Sequence, residues 1–245
     1  MNLLRRLLVR TPGPVRMTEE TSSRTSASVR GVGGETSGRL TTPVEQACPY
    51  CAVVLDPPPL RKKRCTDCKQ FIYVRKRPNG AERYLWREDQ LPDLDAEGDL
   101  YEVFQSSGLS FDDTMARYAK QHGGRPGDIL WAVRQEQFDV AWADKNWHAL
   151  QLIQFQRAWQ LYREGRDPVG ELTWEREFEL REHAERGRTK VKVMADECAS
   201  CQELDGAIFS ITDALATPRL PVRDCTASRG SSERGWCQCR YSAVS

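Results

Sequence analysis

Nine cysteines fall in two tight groups of this 245-residue chain, and their spacing is the clearest chemistry on offer. Cys48, Cys51, Cys65 and Cys68 make two Cys-x-x-Cys pairs with thirteen residues between them. A Cys-x-x-Cys pair on a tight knuckle aims both sulfurs at one ion. Two such knuckles supply the four thiolates of a tetrahedral zinc site, with bonds of about 2.3 Å. Four sulfurs leave no position for water, so the metal expected here is structural. A redox dithiol would need a single pair opening a helix in a βαβ setting. These pairs instead flank the Pro-rich "LDPPPL" and strand-like "FIYVRK".

The second group comprises Cys198, Cys201, Cys225, Cys237 and Cys239. Five thiols exceed one tetrahedral shell. The expected ligands are Cys198, Cys201, Cys225 and one of the last two, with Cys237 preferred on the expectation that the two thiols of "CQC" point to opposite sides of an extended segment. Two zinc ions are therefore expected in all. The 129 residues between the groups hold no cysteine, a pattern of metal sites in a reducing compartment more than of a disulfide framework.

The elements that must hold these groups follow from composition and period. Residues 1–44 are rich in Ser, Thr, Gly and Arg and are expected to form a disordered basic tail. "MNLLRRLLVR" has no uninterrupted apolar run, so a secretion signal is not expected, and Met17 is a second candidate start. The cytoplasm is the expected location. Residues 45–100 read as a cysteine module and its extension, with "PNG" turning "FIYVRK" back on "ERYLW".

Residues 101–187 read as about four helices. Ser110 caps the first, and Pro126 opens the second, whose face carries Ile129, Leu130, Val133, Phe138, Ala141 and Trp142. Trp147, Leu150, Ile153, Ala158 and Leu161 mark the third, which exits at Gly165. A charged fourth ends at Gly187. The middle pair resembles a tetratricopeptide-like hairpin, and the aromatic residues of these helices are expected in the core. "TKVKVMADE" alternates as a short strand and feeds the module at 188–245. The fold class expected is mainly α with small β: ribbon, helical domain, cysteine-rich zinc module. No stretch approaches the ~20 apolar residues of a membrane span.

"CPYC" and "CTDC" resemble the two knuckles of the zinc ribbon family, over about 30 residues. The glycine that often follows each knuckle is here Ala52 and Lys69. The resemblance implies a small β module that binds nucleic acid or protein, or braces a neighbour. "ECASCQELDG…PVRDC…GWCQCRY" resembles the C-terminal motif of phage head-morphogenesis (minor head) proteins, departing from it at Val222 and Arg223, where that motif has histidine, and in the loop before Trp236. The whole arrangement also resembles a group of bacterial zinc-ribbon proteins.

Arg61, Lys62, Lys63 and Arg64 on the ribbon arm, with Arg75, Lys76 and Arg77 beyond it, are candidate nucleic-acid contacts, and Tyr50, Phe71 and Tyr73 could stack on bases. A net charge of +1 excludes wholesale electrostatic binding and leaves local patches. The reading is a zinc-binding adaptor contacting nucleic acid, with protein–protein assembly as the alternative and no small-molecule substrate or membrane. His122, His148 and His183 lack partners at ligand spacing; Glu182, His183 and Glu185 form the remote hydrolase alternative, more readily read as a charged helix face.

Overall fold

The computed structural model describes residues 47–78, 80–196, 199–222, 225 and 237–244. The basic tail expected at 1–44, and Cys198, lie outside the described residues. Two compact units divide the chain, one ending at Glu88 and the other opening at Asp89.

The first unit is a three-stranded antiparallel sheet in the order β1-β2-β3: β1 (Lys63–Arg64), β2 (Phe71–Lys76) and β3 (Arg83–Trp86). β2 and β3 form the hairpin that "FIYVRK" and "ERYLW" announce. Alternation decides which face is covered. Ile72, Val74 and Leu85 turn to one side, where Ile72 and Leu85 pack with Leu55, Cys48 and Cys65. The cysteines are thus half of the core of a module too small to build one from side chains alone.

The second unit is mostly helical. A 3-10 turn (Glu88–Gln90) enters α1 (Leu91–Ser106), followed by α2 (Phe111–His122), α3 (Pro126–Ala143), α4 (Trp147–Arg163) and α5 (Val169–Glu185). Ser110 accepts the Asp113 amide as the cap of α2, and Asn146 accepts that of Ala149 at the start of α4. Gly165 and Gly187, at φ 70° and 74°, end α4 and α5 as expected.

α2 to α5 are the four helices expected within 101–187, and among the described residues a fifth long helix, α1, lies where an extension of the ribbon is expected. Pro92 and Gly98 argue against a helix there. Pro92, however, sits in the first turn, where its missing N–H has no partner to lose. Burial of Leu94, Leu100 and Phe104 then outweighs the weak propensity.

A second departure concerns the aromatics. Trp142, Phe155, Trp159 and Trp174 are 46%, 40%, 38% and 45% exposed. They widen the apolar stripe beyond the arc the neighbouring helices cover, so its margins reach the surface.

After α5 the chain forms β4 (Lys190–Met194), α6 (Ala199–Gln202), β5 (Ile208–Ser210), α7 (Ile211–Ala216) and β6 (Arg240–Ala243), with sheet order β5-β4-β6. This module is not separated from the helices. Ala158, Leu172 and Leu180 share one core with Val191, Val193, Ile211, Leu220 and Tyr241, so the boundary expected at residue 187 falls inside continuous packing. Tyr241 donates its amide to Glu179 Oε2 of α5 at 2.9 Å, which fixes β6 to the helix.

Candidate metal centres

Both knuckles of the first unit are built alike. The Cys48 amide donates to Val53 O and the Cys65 amide to Gln70 O, each at 2.8 Å and each spanning five residues. The residue after each second cysteine, Ala52 (φ 60°) and Lys69 (φ 62°), adopts the left-handed conformation. The turn is therefore the one glycine favours, made without glycine. The strain, about 1–2 kcal/mol per residue, is carried by the surrounding hydrogen bonds.

The sulfurs converge. All four Sγ atoms of Cys48, Cys51, Cys65 and Cys68 lie within 4.8 Å of one another. Cys48 Sγ is 3.7 Å from Cys68 Sγ, and Cys51 Sγ is 3.8 Å from Cys65 Sγ. Thiolates bound to a tetrahedral ion at about 2.3 Å stand about 3.8 Å apart, whereas a disulfide holds its sulfurs at about 2.05 Å. The spacing fits a shared ion, and none of the eight described cysteines is in a disulfide.

Electrostatics favours the same conclusion. Amide donation from Cys68 lowers the Cys65 pKa to about 7. Burial raises that of Cys48. Cys68 accepts the Gln70 amide, which lowers its pKa, but burial and the neighbouring thiols outweigh this and push it to about 12. Such a cluster holds one thiolate readily and resists the next, unless a cation compensates the accumulating charge.

The second group is more deeply buried. Cys201, Cys237 and Cys239 place their Sγ atoms within 4.8 Å of one another, and Cys225 Sγ is 3.8 Å from Cys201 Sγ. Exposure of the four is 3% or less. Cys201 is carried by α6 and Cys225 by a turn closed by its own amide on Val222 O. β6 pairs with β4 so that Met194 faces Arg240, which brings Cys239 to the Asp196 amide at 3.2 Å.

The preference for Cys237 over Cys239 does not survive this geometry. Residues two apart in extended chain share a face and do not diverge, and both thiols face the cluster. Hydrogen bonding with Cys239, together with burial, raises the Cys237 pKa. Of the described thiols, Cys201, Cys237 and Cys239 converge as one group and Cys225 adjoins it through Cys201; Cys198 lies outside the described residues.

The other candidate residues are distributed as follows. Arg61, Lys62, Lys63, Arg64, Arg75, Lys76 and Arg77 are all exposed. Register sends them to different sides of the sheet: Arg64 pairs with Phe71 and Arg75 with Tyr84, while Lys63 pairs with Ile72 and Lys76 with Arg83. Tyr50 is not with the other aromatics. It packs on the cysteine core, and its OH accepts the Glu88 amide. Two rings not singled out from the sequence, Tyr84 and Trp86, join Phe71 and Tyr73 instead; the i, i+2 spacing in "ERYLW" was the available signal.

Glu182 accepts from Gln151 Nε2 and Arg186, His183 Nε2 lies 3.5 Å from Tyr241 O, and Glu185 is exposed. The first two are engaged in holding α5 in place. Among the described residues no helix is long and apolar enough to cross a membrane.

Compared with family models, curated proteins and solved structures, the chain matches none. The ribbon likeness therefore rests on the knuckles themselves, and the likeness to phage head-morphogenesis proteins on the cysteine motif alone.

Proposed function

We propose that this chain is a nucleic-acid-binding protein whose two cysteine centres each hold a structural zinc ion. Tetrahedral all-sulfur sites suit zinc, which adds no redox chemistry and imposes no geometry of its own. Cys48, Cys51, Cys65 and Cys68 would hold one ion; Cys201, Cys225, Cys237 and Cys239 would hold the other. When bound, the metal supplies cross-links that small segments need in order to fold.

The observation that carries the binding role is the exposure of all seven cations of the ribbon arm and of β2 and its exit, with Arg64 and Arg75 on one face of the sheet. A cluster of this kind on a chain of net charge +1 is a local field suited to phosphates. Fluorescence anisotropy with labelled oligonucleotides at 50–200 mM salt tests it, on the order of the range where counterion release is visible. Affinity should fall steeply with salt, and replacing Arg61–Arg64 by glutamine should abolish most of it. Absent or salt-insensitive binding would reject the proposal.

Protein–protein assembly is the second reading, favoured by a specific observation. Leu152, Phe155 and Trp159 lie at i, i+3 and i+7 on α4 with 52%, 40% and 38% exposure. A sedimentation measurement showing the chain strictly monomeric and unchanged by Leu152→Ser with Trp159→Ser would count against that face joining copies of itself.

A further inference from the structure

The solvent face of the ribbon sheet interleaves rings with cations in a fixed order. Register places Arg64 beside Phe71, Tyr73 beside Trp86 and Arg75 beside Tyr84, all on the side opposite Ile72 and Val74. Lys62 and Arg77 lean onto the same face. Lys62 Nζ stands 4.5 Å from the centroids of both Phe71 and Tyr73, and the Arg77 guanidinium stands 5.7 and 5.8 Å from those of Tyr84 and Trp86. Tyr73 is buried beneath Lys62 and forms the floor, while Phe71 is 45% exposed and Tyr84 and Trp86 are partly exposed.

Resting on the nucleic-acid reading above, we propose that this face binds single-stranded nucleic acid by stacking splayed bases on Phe71, Tyr84 and Trp86. Lys62, Arg64, Arg75 and Arg77 would hold the flanking phosphates.

Three physical points lead there. Same-face positions along a strand are about 6.8 Å apart, twice the roughly 3.4 Å rise of a stacked nucleic-acid strand, so adjacent rings receive bases pulled away from each other. A duplex would have to break its pairs to offer them, whereas a single strand does not. A cation over an exposed ring is held more weakly than a stacked base, so Lys62 and Arg77 can yield the ring and turn to phosphate.

The two described phenols of the face already donate to carboxylates. The Tyr73 phenol donates to Glu88 Oε1 at 2.8 Å and the Tyr84 phenol to Glu82 Oε2 at 3.0 Å. Binding should therefore be indifferent to a 2′-hydroxyl.

The test is anisotropy titration of the whole, metal-loaded chain with labelled 12-mers of dT, of rU and of a mixed-sequence DNA duplex. Single strands should bind about tenfold or more tighter than the duplex, with DNA and RNA similar. Phe71→Ala and Trp86→Ala should each weaken single-strand binding by roughly five- to a hundredfold. Lys63→Gln and Lys76→Gln, on the other face, should cost less than Arg64→Gln and Arg75→Gln. Metal content and circular dichroism check folding, and Phe71→Leu removes the ring while keeping the apolar bulk if an alanine variant is unstable.

Duplex binding as tight as single-strand binding, indifference to Phe71 and Trp86, or a tenfold preference for one sugar overturns this inference. If the charge variants still lose binding in that case, the broader nucleic-acid reading stands without it. No binding to any of the three probes removes both.

Discussion

At the scale of single residues, strain and burial stand out where the metal reading needs them. Ala52 holds a left-handed backbone that costs about 1–2 kcal/mol, while glycine there would cost the unfolded chain about 0.4–1 kcal/mol more entropy. The balance predicts that Ala52→Gly stabilises the loaded ribbon by up to about 1 kcal/mol, read as increased resistance to a zinc chelator. Lys69 is the less clean probe, since its Nζ also donates to Thr66 O.

Glu175 is a separate case. It is buried on α5, and its Oε2 has no hydrogen-bond partner among the described atoms. Burial raises its pKa from the ordinary 4.5 to about 7, with Arg176 only partly opposing this. Because the folded value is the higher one, folding takes up a proton between those limits. Stability is greatest below the window and declines as pH rises through about 7. Glu175→Gln should therefore stabilise the chain by ~1–3 kcal/mol at pH 8 and have little effect at pH 4.5, as measured by urea unfolding.

At the scale of elements, the helices are held together by buried polar contacts as well as by apolar faces. Asp99 on α1 accepts from Arg134 on α3 at 3.0 Å and from Arg163 on α4 at 2.5 Å. Arg134 is 4% exposed and also donates to Gln156 O and Gln160 Oε1. Burial lowers the Arg134 pKa to about 10. Removing the carboxylate takes the ion pair from Arg134, which keeps Gln156 O and Gln160 Oε1, and leaves Arg163 paired with Asp95, so Asp99→Ala should cost about 1–3 kcal/mol in denaturant unfolding.

Legibility differed between elements for stated reasons. α2 and α4 could be read because a capping side chain, periodic apolar residues and a terminal glycine agree along each, while α3 is marked by Pro126 and its apolar face and α5 by Pro168 and Gly187. α1 could not, since Pro92 and Gly98 speak against it and only packing of Leu100 and Phe104 decides. β6 was invisible as a strand because "RYSA" has meaning only beside β4. The joint inward aim of Cys237 and Cys239, by contrast, is what alternation gives when applied to residues two apart, which share a face in extended chain. The four sulfurs of the first centre were fully legible, since two knuckles fix them by local geometry.

At the scale of the whole molecule, the two centres differ in what they support. The first organises a unit in which cysteine supplies much of the core, so its loss should unfold that unit. The second adjoins Leu172, Leu180 and Val191 in a larger core, so the helices should outlast its loss. Cys65→Ser should accordingly halve the bound metal and collapse the amide signals of residues 47–88 in a heteronuclear NMR spectrum, with those of α2 to α5 retained. Retention of the ribbon signals would show that the unit folds without its ion.

The most direct measurement is elemental analysis of the purified, reduced chain. Close to two zinc ions per molecule is the expected result, falling to about one for Cys65→Ser and for Cys201→Ser. A chain that carries no metal and yet shows a fully ordered ribbon and C-terminal sheet would contradict the account.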